Sequence, residues 1–192
     1  MKKFNIFLLV LLFSTMAYGK IQEAVLAGGC FWCVESDLEK LPGVKDVISG
    51  YSGGTVKNPA YKEVSSGTTG HRESVLVKYD DDEINYATLL YYFLRGIDPT
   101  DGKGQFNDRG FQYSPAIFYM NENEKNIGEK VLEKIKKDGK FSKIEVALVP
   151  FKNFYHAEDY HQDYYKKETF KYKYFRFRSG RDRFIKDHWN NK

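Results

Sequence analysis

Cysteine is scarce in this 192-residue chain, which contains only Cys30 and Cys33. Two cysteines cannot build the framework of a disulfide-rich scaffold, and two thiols alone cannot complete a structural zinc site. A large excess of charge of one sign is also missing, because 30 Lys and Arg residues stand against 26 Asp and Glu residues. A nucleic-acid-binding protein concentrates far more positive charge on one face. The composition therefore excludes a disulfide scaffold and predicts no nucleic-acid partner.

Long apolar runs are absent too, although a short one occurs near the N-terminus. Residues 4–13 are almost entirely apolar, two lysines precede them, and small residues follow at Ala17 and Gly19. The run has about half of the roughly 20 residues that a membrane-spanning helix needs. Its arrangement is typical of a secretory signal peptide with its cleavage site. We therefore expect residues 1–19 to be a cleaved signal peptide and the protein to be exported, periplasmic or secreted, into an oxidising compartment.

Apolar and aromatic side chains are plentiful, at 42% and 17% of the chain. This content is enough to bury a full core, which excludes a disordered or collagen-like protein. Domains commonly run to about 100–200 residues. Residues 20–192 are therefore predicted to form one domain, which we expect to be monomeric.

The hydrophobic pattern predicts alternating strands and helices. Strands are expected at residues 23–27, 44–49, 73–79, 116–120 and 144–149, and helices at residues 31–41, 84–95 and 122–137. The first six of these elements have the order of a split β-α-β arrangement. Residues 50–70 and 97–114 form connections long enough to carry function. The predicted fold is an α+β, ferredoxin-like sandwich with long catalytic loops and an irregular C-terminal wrap at residues 151–189, which holds one short helix at 157–167.

The strongest local signal is the sequence Gly28-Gly29-Cys30-Phe31-Trp32-Cys33. A strand here runs through a glycine turn into a helix, whose unpaired N–H groups and dipole favour a thiolate, the reactive form of cysteine. Cys33 follows one helical turn later, close enough for a disulfide with Cys30 after modest local adjustment. Free cysteines often only fill a core. The flanking glycines and tryptophan nevertheless favour a reactive thiol pair.

This motif belongs to a longer resemblance to the peptide methionine sulfoxide reductase A family. Further segments match the family in the same order, at residues 47–54, 58–61, 66–73, 98–100, 107–113 and 157–162. Such an ordered set is far more specific than an isolated Cys-x-x-Cys. The resemblance implies a peptide-methionine (S)-S-oxide reductase, an oxidoreductase of protein repair under oxidative stress. Its substrate would be methionine-S-sulfoxide, free or in oxidised proteins and peptides, and it would need no metal or other cofactor.

The resemblance also implies roles for individual residues. Cys30 matches the nucleophile that attacks the sulfoxide sulfur. Glu73 matches the acid, and a carboxyl in an apolar pocket can hold a proton near neutral pH. The implied substrate-binding residues are Phe31 and Trp32 for the methyl group, Tyr61 and Tyr113 for the sulfoxide oxygen, and Asp108 as their partner carboxylate.

For recycling, the resemblance points to the second cysteine. The attack leaves Cys30 as a sulfenic acid, which condenses readily with a nearby thiol. Many family members carry a recycling cysteine near the C-terminus, where this chain has Ser179, whereas Cys33 stands where the commoner motif has Gly. Cys33 is therefore expected to resolve Cys30 as a disulfide, which a thioredoxin-like dithiol donor reduces. Two departures lie in the second long connection, where Ile97 replaces the usual His and Ser114 replaces the usual Arg-Ser.

Other interpretations fit parts of the sequence. A Cys-x-x-Cys at a helix start also occurs in thioredoxin-like disulfide oxidoreductases, although such a protein has no use for Glu73 or the tyrosine-bearing loops. The two cysteines with His156 and His161 are candidate metal ligands, but these histidines are five residues apart rather than four. The basic aromatic stretch at residues 166–186 is expected to be a solvated wrapping segment rather than a surface for a membrane or partner.

Overall fold

The computed structural model describes residues 20–189, so the expected signal peptide lies outside the described residues. The helices are α1 (Phe31–Leu38), α2 (Tyr61–Ser65), α3 (Tyr86–Arg95), α4 (Glu122–Lys137), α5 (Tyr164–Lys167), α6 (Thr169–Ser179) and α7 (Arg181–Trp189). The strands are β1 (Ile21–Ala27), β2 (Val44–Ser52), β3 (Arg72–Asp80), β4 (Gly104–Gln105), β5 (Asp108–Arg109), β6 (Ala116–Tyr119), β7 (Ala147–Pro150) and β8 (Phe154–His156). One 3₁₀ turn spans Phe111–Tyr113.

Six of the strands form one sheet in the order β7-β6-β1-β3-β2-β8, and β4 pairs separately with β5. Within the large sheet only β6 and β7 run parallel, while the other neighbours are antiparallel. The central strands β1 and β3 contribute apolar residues to the core, where Val25, Leu26, Val75 and Val77 are fully buried. The predicted combination of helices and strands in one fold is therefore confirmed.

The helices pack their apolar stripes against this sheet. In α3 the buried residues Leu89, Leu90, Phe93 and Leu94 repeat at helical spacing, and the Asn85 side chain caps the helix by accepting the Thr88 N–H at 2.9 Å. The predicted bounds of the surface helix α4 are correct. Asn121 caps α4 in the same way, with the Glu124 N–H at 2.9 Å.

Both long connections contain more structure than the sequence predicts. β2 continues to Ser52, and α2 interrupts the first connection. The second connection contains the β4–β5 hairpin and the 3₁₀ turn. These elements have only two to five residues, too few for a hydrophobic period to be visible in the sequence.

The predicted irregular C-terminal wrap is wrong. Strand β8 pairs with β2 at the sheet edge, and α5, α6 and α7 follow it as a helical segment. No helix spans residues 157–167; only Tyr164–Lys167 of that range is helical. The error has a physical cause, because aromatic and basic residues alternate through most of α6 and this period-two pattern is typical of a strand.

The glycine turn between β1 and α1 is closely enclosed. Gly29 has a φ of +82°, and a Cβ atom there would lie 2.5 Å from the Gln105 Cβ. A Cβ at Gly28 would lie 2.9 Å from the Ile97 side chain. Only glycine fits such close packing at a positive φ. The buried Arg181 side chain ties the turn to the C-terminal helices by donating to the Gly28 carbonyl at 3.0 Å.

Candidate active site

Cys30 and Cys33 lie together at the start of α1. Cys30 is the N-cap residue, and its carbonyl accepts the N–H groups of Cys33 at 3.1 Å and Val34 at 3.3 Å. Both cysteines are reduced, and they are only 5% and 1% exposed. Their side chains are hydrogen-bonded to each other. The first helical turn therefore places the two thiols side by side, where a disulfide can form after local adjustment.

The surroundings of the two thiols shift their pKa values in opposite directions. Burial raises the pKa of Cys30 well above its ordinary value, and its hydrogen bond with Cys33 adds to the shift. The hydrogen bond with Cys30 lowers the pKa of Cys33 to about 7, assisted by the positive charges of Arg181 and Arg176. Burial therefore disfavours a thiolate at Cys30 and opposes the stabilisation expected at the start of α1.

Glu73 approaches the cysteines from the central strand β3. Its side chain is 2% exposed, and its Oε2 accepts the Phe31 N–H at 3.1 Å. Burial raises the pKa of Glu73 to about 8, the hydrogen bond from Phe31 opposes this shift, and the charge of Asp108 reinforces it. A carboxyl with this pKa is mainly protonated at neutral pH. Glu73 is therefore a proton donor held beside the residue that follows Cys30.

The two long connections bring the remaining polar residues to the same place. Tyr61 begins α2, Tyr113 ends the 3₁₀ turn, and their hydroxyls are hydrogen-bonded. Burial raises the pKa of Tyr61 to about 12 and that of Tyr113 also above its ordinary value, and the charges of Glu73 and Cys30 act on both. Burial likewise raises the pKa of Asp108 in β5. Both hydroxyls keep their protons and remain hydrogen-bond donors.

Aromatic rings enclose one side of this group. Phe31 is buried, with its ring centroid 6.4 Å from that of Tyr61 and 6.0 Å from that of Tyr51. Trp32 is half-buried and stacks on Tyr164 with 3.8 Å between the ring centroids. Phe31 is thus part of the core beneath the site, whereas Trp32 forms a wall shared with the C-terminal helices.

His161 and Glu158 complete the site, although neither was predicted from the sequence to take part in the reaction. Nδ1 of the buried His161 accepts the Trp32 Nε1–H at 3.1 Å, and burial lowers the pKa of His161 to about 4. The neutral ring therefore fixes Trp32. Glu158 accepts the Tyr51 hydroxyl at 2.7 Å and the Tyr61 N–H at 2.8 Å. The sequence signal that could have indicated their role is that both residues lie in the segment at 157–162 that matches the family.

The C-terminal helices cover the two cysteines from the other side. Tyr172 of α6 is buried against Cys30 and Cys33. The Arg176 Nη1 donates to Asp37 at 2.7 Å and to the Tyr172 hydroxyl at 2.9 Å. No motif in the sequence indicates this cover, since it depends on helices that the hydrophobic pattern conceals.

Across residues 20–189, no group of three or more His, Cys, Asp or Glu side chains is arranged to hold a metal ion, and this includes the cysteines with His156 and His161. No helix in the same range is long and apolar enough to cross a membrane.

Two relatives are similar to most of this chain. It is 54% identical over 167 residues to the peptide methionine sulfoxide reductase MsrA/MsrB of Vibrio cholerae, a match covering 86% of this chain and 44% of that protein. It is 47% identical over 171 residues to the peptide methionine sulfoxide reductase MsrA of Halalkalibacterium halodurans, covering 88% and 97% of the two chains. The chain thus spans less than half of the first relative and nearly all of the second.

Solved structures agree with these matches. Reduced Mxr1 from Saccharomyces cerevisiae has a TM-score of 0.72 and 32% identity, covering 77% of this chain and 86% of that one. Methionine sulfoxide reductase A of Corynebacterium diphtheriae has a TM-score of 0.68 and 31% identity, covering 77% and 74%. The family model for peptide methionine sulfoxide reductase matches residues 22–192. The family that the ordered motifs predict is therefore confirmed, and with it the predicted class of enzyme: the chain belongs to the peptide methionine sulfoxide reductases.

Proposed function

We propose that this protein reduces methionine-S-sulfoxide, free or within oxidised proteins and peptides, to methionine. One observation carries the proposal: Cys30 and a buried, protonated Glu73 meet at the start of α1. Sulfoxide reduction needs a soft nucleophile at sulfur and a proton for the departing oxygen. The site provides both groups side by side.

The reductase step follows from this arrangement. The Cys30 sulfur attacks the sulfoxide sulfur while Glu73 protonates the sulfoxide oxygen, and the proton that the Cys30 thiol loses replaces the one given up by Glu73. The Tyr61 and Tyr113 hydroxyls hydrogen-bond that oxygen, and Trp32 lies against the methyl group. Transfer of the oxygen to Cys30 leaves a sulfenic acid there and releases methionine, so the sulfoxide is reduced by two electrons and the thiol is oxidised by two.

Cys33 resolves the sulfenic acid in the second step. Its sulfur attacks the Cys30 sulfur, water leaves, and a Cys30–Cys33 disulfide forms. The hydrogen bond with Cys30 lowers the pKa of Cys33 in the reduced pair, and the positive charges of Arg181 and Arg176 also favour the Cys33 thiolate. A thioredoxin-like dithiol protein then reduces the disulfide by thiol–disulfide exchange.

An assay with separate epimers tests the proposed function. With a dithiol donor, the enzyme should convert a methionine-S-sulfoxide peptide to methionine and leave the R epimer unchanged, because separate enzymes reduce the two epimers. Insulin reduction in the same buffer should stay at the background rate. Reduction of insulin without methionine formation would instead support the thioredoxin-like alternative.

Glu73→Gln should slow the reductase step by about 10²-fold or more, because the amide cannot donate the proton. The KM should change little, since the side chain keeps its shape. The wild-type rate of single-turnover methionine release should fall as the pH rises through about 8, where Glu73 loses its proton. The variant should lack this pH limb.

Glu129→Gln on the exposed surface of α4 is the matched control, which should retain the wild-type rate and pH profile. An effect of Glu73→Gln on KM alone would contradict the acid role.

We further propose that residues 1–19 direct export to the periplasm or the exterior and that the mature enzyme acts as a monomer. The basic start and short apolar run support the export signal. We also infer a ferredoxin-like arrangement for the four central strands, because β6-β1-β3-β2 are antiparallel neighbours with α1 and α3 in the connecting crossovers. Strands β7 and β8 extend its two edges.

A further inference from the structure

The outer face of α6 carries an exposed row of aromatic rings. Phe170, Tyr174 and Phe177 are 90%, 67% and 80% exposed, the highest values among the large apolar side chains of residues 20–189. Their spacings of four and three residues place them on one face of the helix. We call these three side chains the aromatic ridge. The opposite face holds Tyr172 and Ser179, which are buried.

Basic residues flank the aromatic ridge on both sides. At 100° per residue, Lys173 lies to one side of the ridge, and Lys171 and Arg178 lie to the other. All three side chains are exposed. Lys171 pairs with Glu168 at 2.8 Å, and α6 itself contains no acidic residue. The face is therefore aromatic at its centre and positively charged at its margins.

The small net charge of the chain conceals this segregation. Residues 166–186 contain nine of the 30 Lys and Arg residues and only two of the 26 Asp and Glu residues. The rest of the chain therefore has more acidic than basic residues. Two of the nine, Arg176 and Arg181, turn inward to Asp37 and to the Gly28 carbonyl. Of the other seven, Lys166 and Lys171 form ion pairs with acidic neighbours, and the basic excess that is left gives this end of the molecule a positive surface.

We propose that the aromatic ridge and its basic flanks dock the enzyme on an anionic lipid bilayer, with α6 lying along the membrane surface. Aromatic side chains partition into the boundary between headgroups and acyl chains, and each nearby Lys or Arg is attracted to anionic headgroups. With 11 residues, α6 is about half as long as a spanning helix. Because the basic flanks are complementary in charge to an anionic bilayer, the bilayer is the partner that fits this face.

Two protein occupants fit the same face less well. A second copy of the chain, packed ridge against ridge, brings the basic flanks of both copies together, and like charges in contact are destabilising. A stable protein interface buries about 800 Å² on each partner. Three rings on one convex helix provide about 450–750 Å², whereas a bilayer adapts to the ridge without a complementary groove.

Docking in this orientation has a consequence for the catalytic site. Tyr172 of α6 contacts Cys30 and Cys33 with the inner face of the same helix. The thiols therefore lie within about one helix diameter, roughly 10 Å, of the bilayer surface. Such an enzyme meets oxidised methionines of proteins at the membrane.

Sedimentation with lipid vesicles tests the proposal on the mature protein. We expect binding to vesicles of equal parts phosphatidylglycerol and phosphatidylcholine at low salt, and none to phosphatidylcholine alone. The ridge variant Phe170→Ser/Tyr174→Ser/Phe177→Ser should bind about tenfold more weakly or worse. The flank variant Lys171→Gln/Lys173→Gln/Arg178→Gln should lose about 100-fold, because each charge adds about fivefold.

The control variant Tyr92→Ser/Met120→Ser removes exposed apolar side chains from α3 and from the turn before α4, and it should bind like wild type. All variants should reduce free methionine sulfoxide at the wild-type rate with a small dithiol, which shows that they fold. Failure of the wild type to bind the mixed vesicles at low salt overturns the proposal. An equal loss of vesicle binding in the control variant also overturns it. So does the finding that the wild type is a dimer and the ridge variant a monomer.

Discussion

Cys30→Ser is expected to abolish methionine formation, with a loss of about 10⁴-fold or more in turnover. A serine hydroxyl has neither the softness nor the acidity to attack a sulfoxide sulfur, and the oxygen has no other acceptor in the site. Methionine release should be measured with a small dithiol and with a thioredoxin-like donor, and it should be absent in both. Because Ser and Cys are nearly the same size, the thermal unfolding midpoint should move by only a few degrees.

Retained turnover by Cys30→Ser would show that the nucleophile lies elsewhere. Cys33 is the one alternative thiol in the chain. The double variant Cys30→Ser/Cys33→Ser tests whether Cys33 can attack the substrate instead. If Cys30 alone attacks the substrate, the double variant and Cys30→Ser should have the same turnover.

Cys33→Ser should release one methionine per enzyme molecule and then stop when the donor is a thioredoxin-like protein. The first step needs only Cys30 and Glu73, so the burst should have nearly the wild-type size. The second step needs a thiol in contact with the Cys30 sulfenic acid, and the sulfurs of these two residues are hydrogen-bonded. Rapid-quench measurement of methionine gives the burst, and a sulfenic-acid reagent followed by mass spectrometry locates the oxygen on Cys30.

A small dithiol provides the internal control for this variant. Such a reagent can reduce the sulfenic acid directly, so it should restore slow turnover to Cys33→Ser and show that the reductase step is intact. Sustained turnover with the thioredoxin-like donor is incompatible with Cys33 as the resolving thiol.

The parts of the fold that the sequence predicts best have a clear hydrophobic period. α4 has an apolar stripe with polar flanks and a capping Asn121, and its predicted bounds are correct. α6 could not be predicted in this way because its apolar side chains point both inward to the cysteines and outward to solvent. A helix that is aromatic on two opposite faces has no single stripe to detect.

Some residues of the candidate site could also be predicted from the sequence, and others could not. Cys30 and Glu73 were predicted from motifs, because their segments match the family residue by residue. The role of His161 was not, since it depends on a hydrogen bond to Trp32, 129 residues away in sequence. The burial of Cys30, which raises its pKa, could not be predicted either, because a helix start is visible in the sequence and the depth of burial is not.

The two departures from the family pattern have structural explanations. Ile97 is buried and packs closely against Gly28, so it supports the turn before the cysteines. The following Asp98 is held by its N–H, which donates to the Gln105 side chain at 2.8 Å. Ser114 is also buried, and its Oγ accepts the Arg72 Nε–H at 2.8 Å. Both residues position loops around the site.

The glycine turn that precedes the two cysteines and the helices that cover these cysteines lie far apart in the described sequence. They are therefore synthesised at different times. Gly28 accepts from Arg181, and Glu35 accepts from Asp163, across 153 and 128 residues. The ribosome makes the two cysteines more than 100 residues before the segments that enclose them. Until α6 and α7 have emerged and folded back, the nascent chain carries both thiols without their cover. The site therefore becomes complete only after α6 and α7 have been made and have packed onto it.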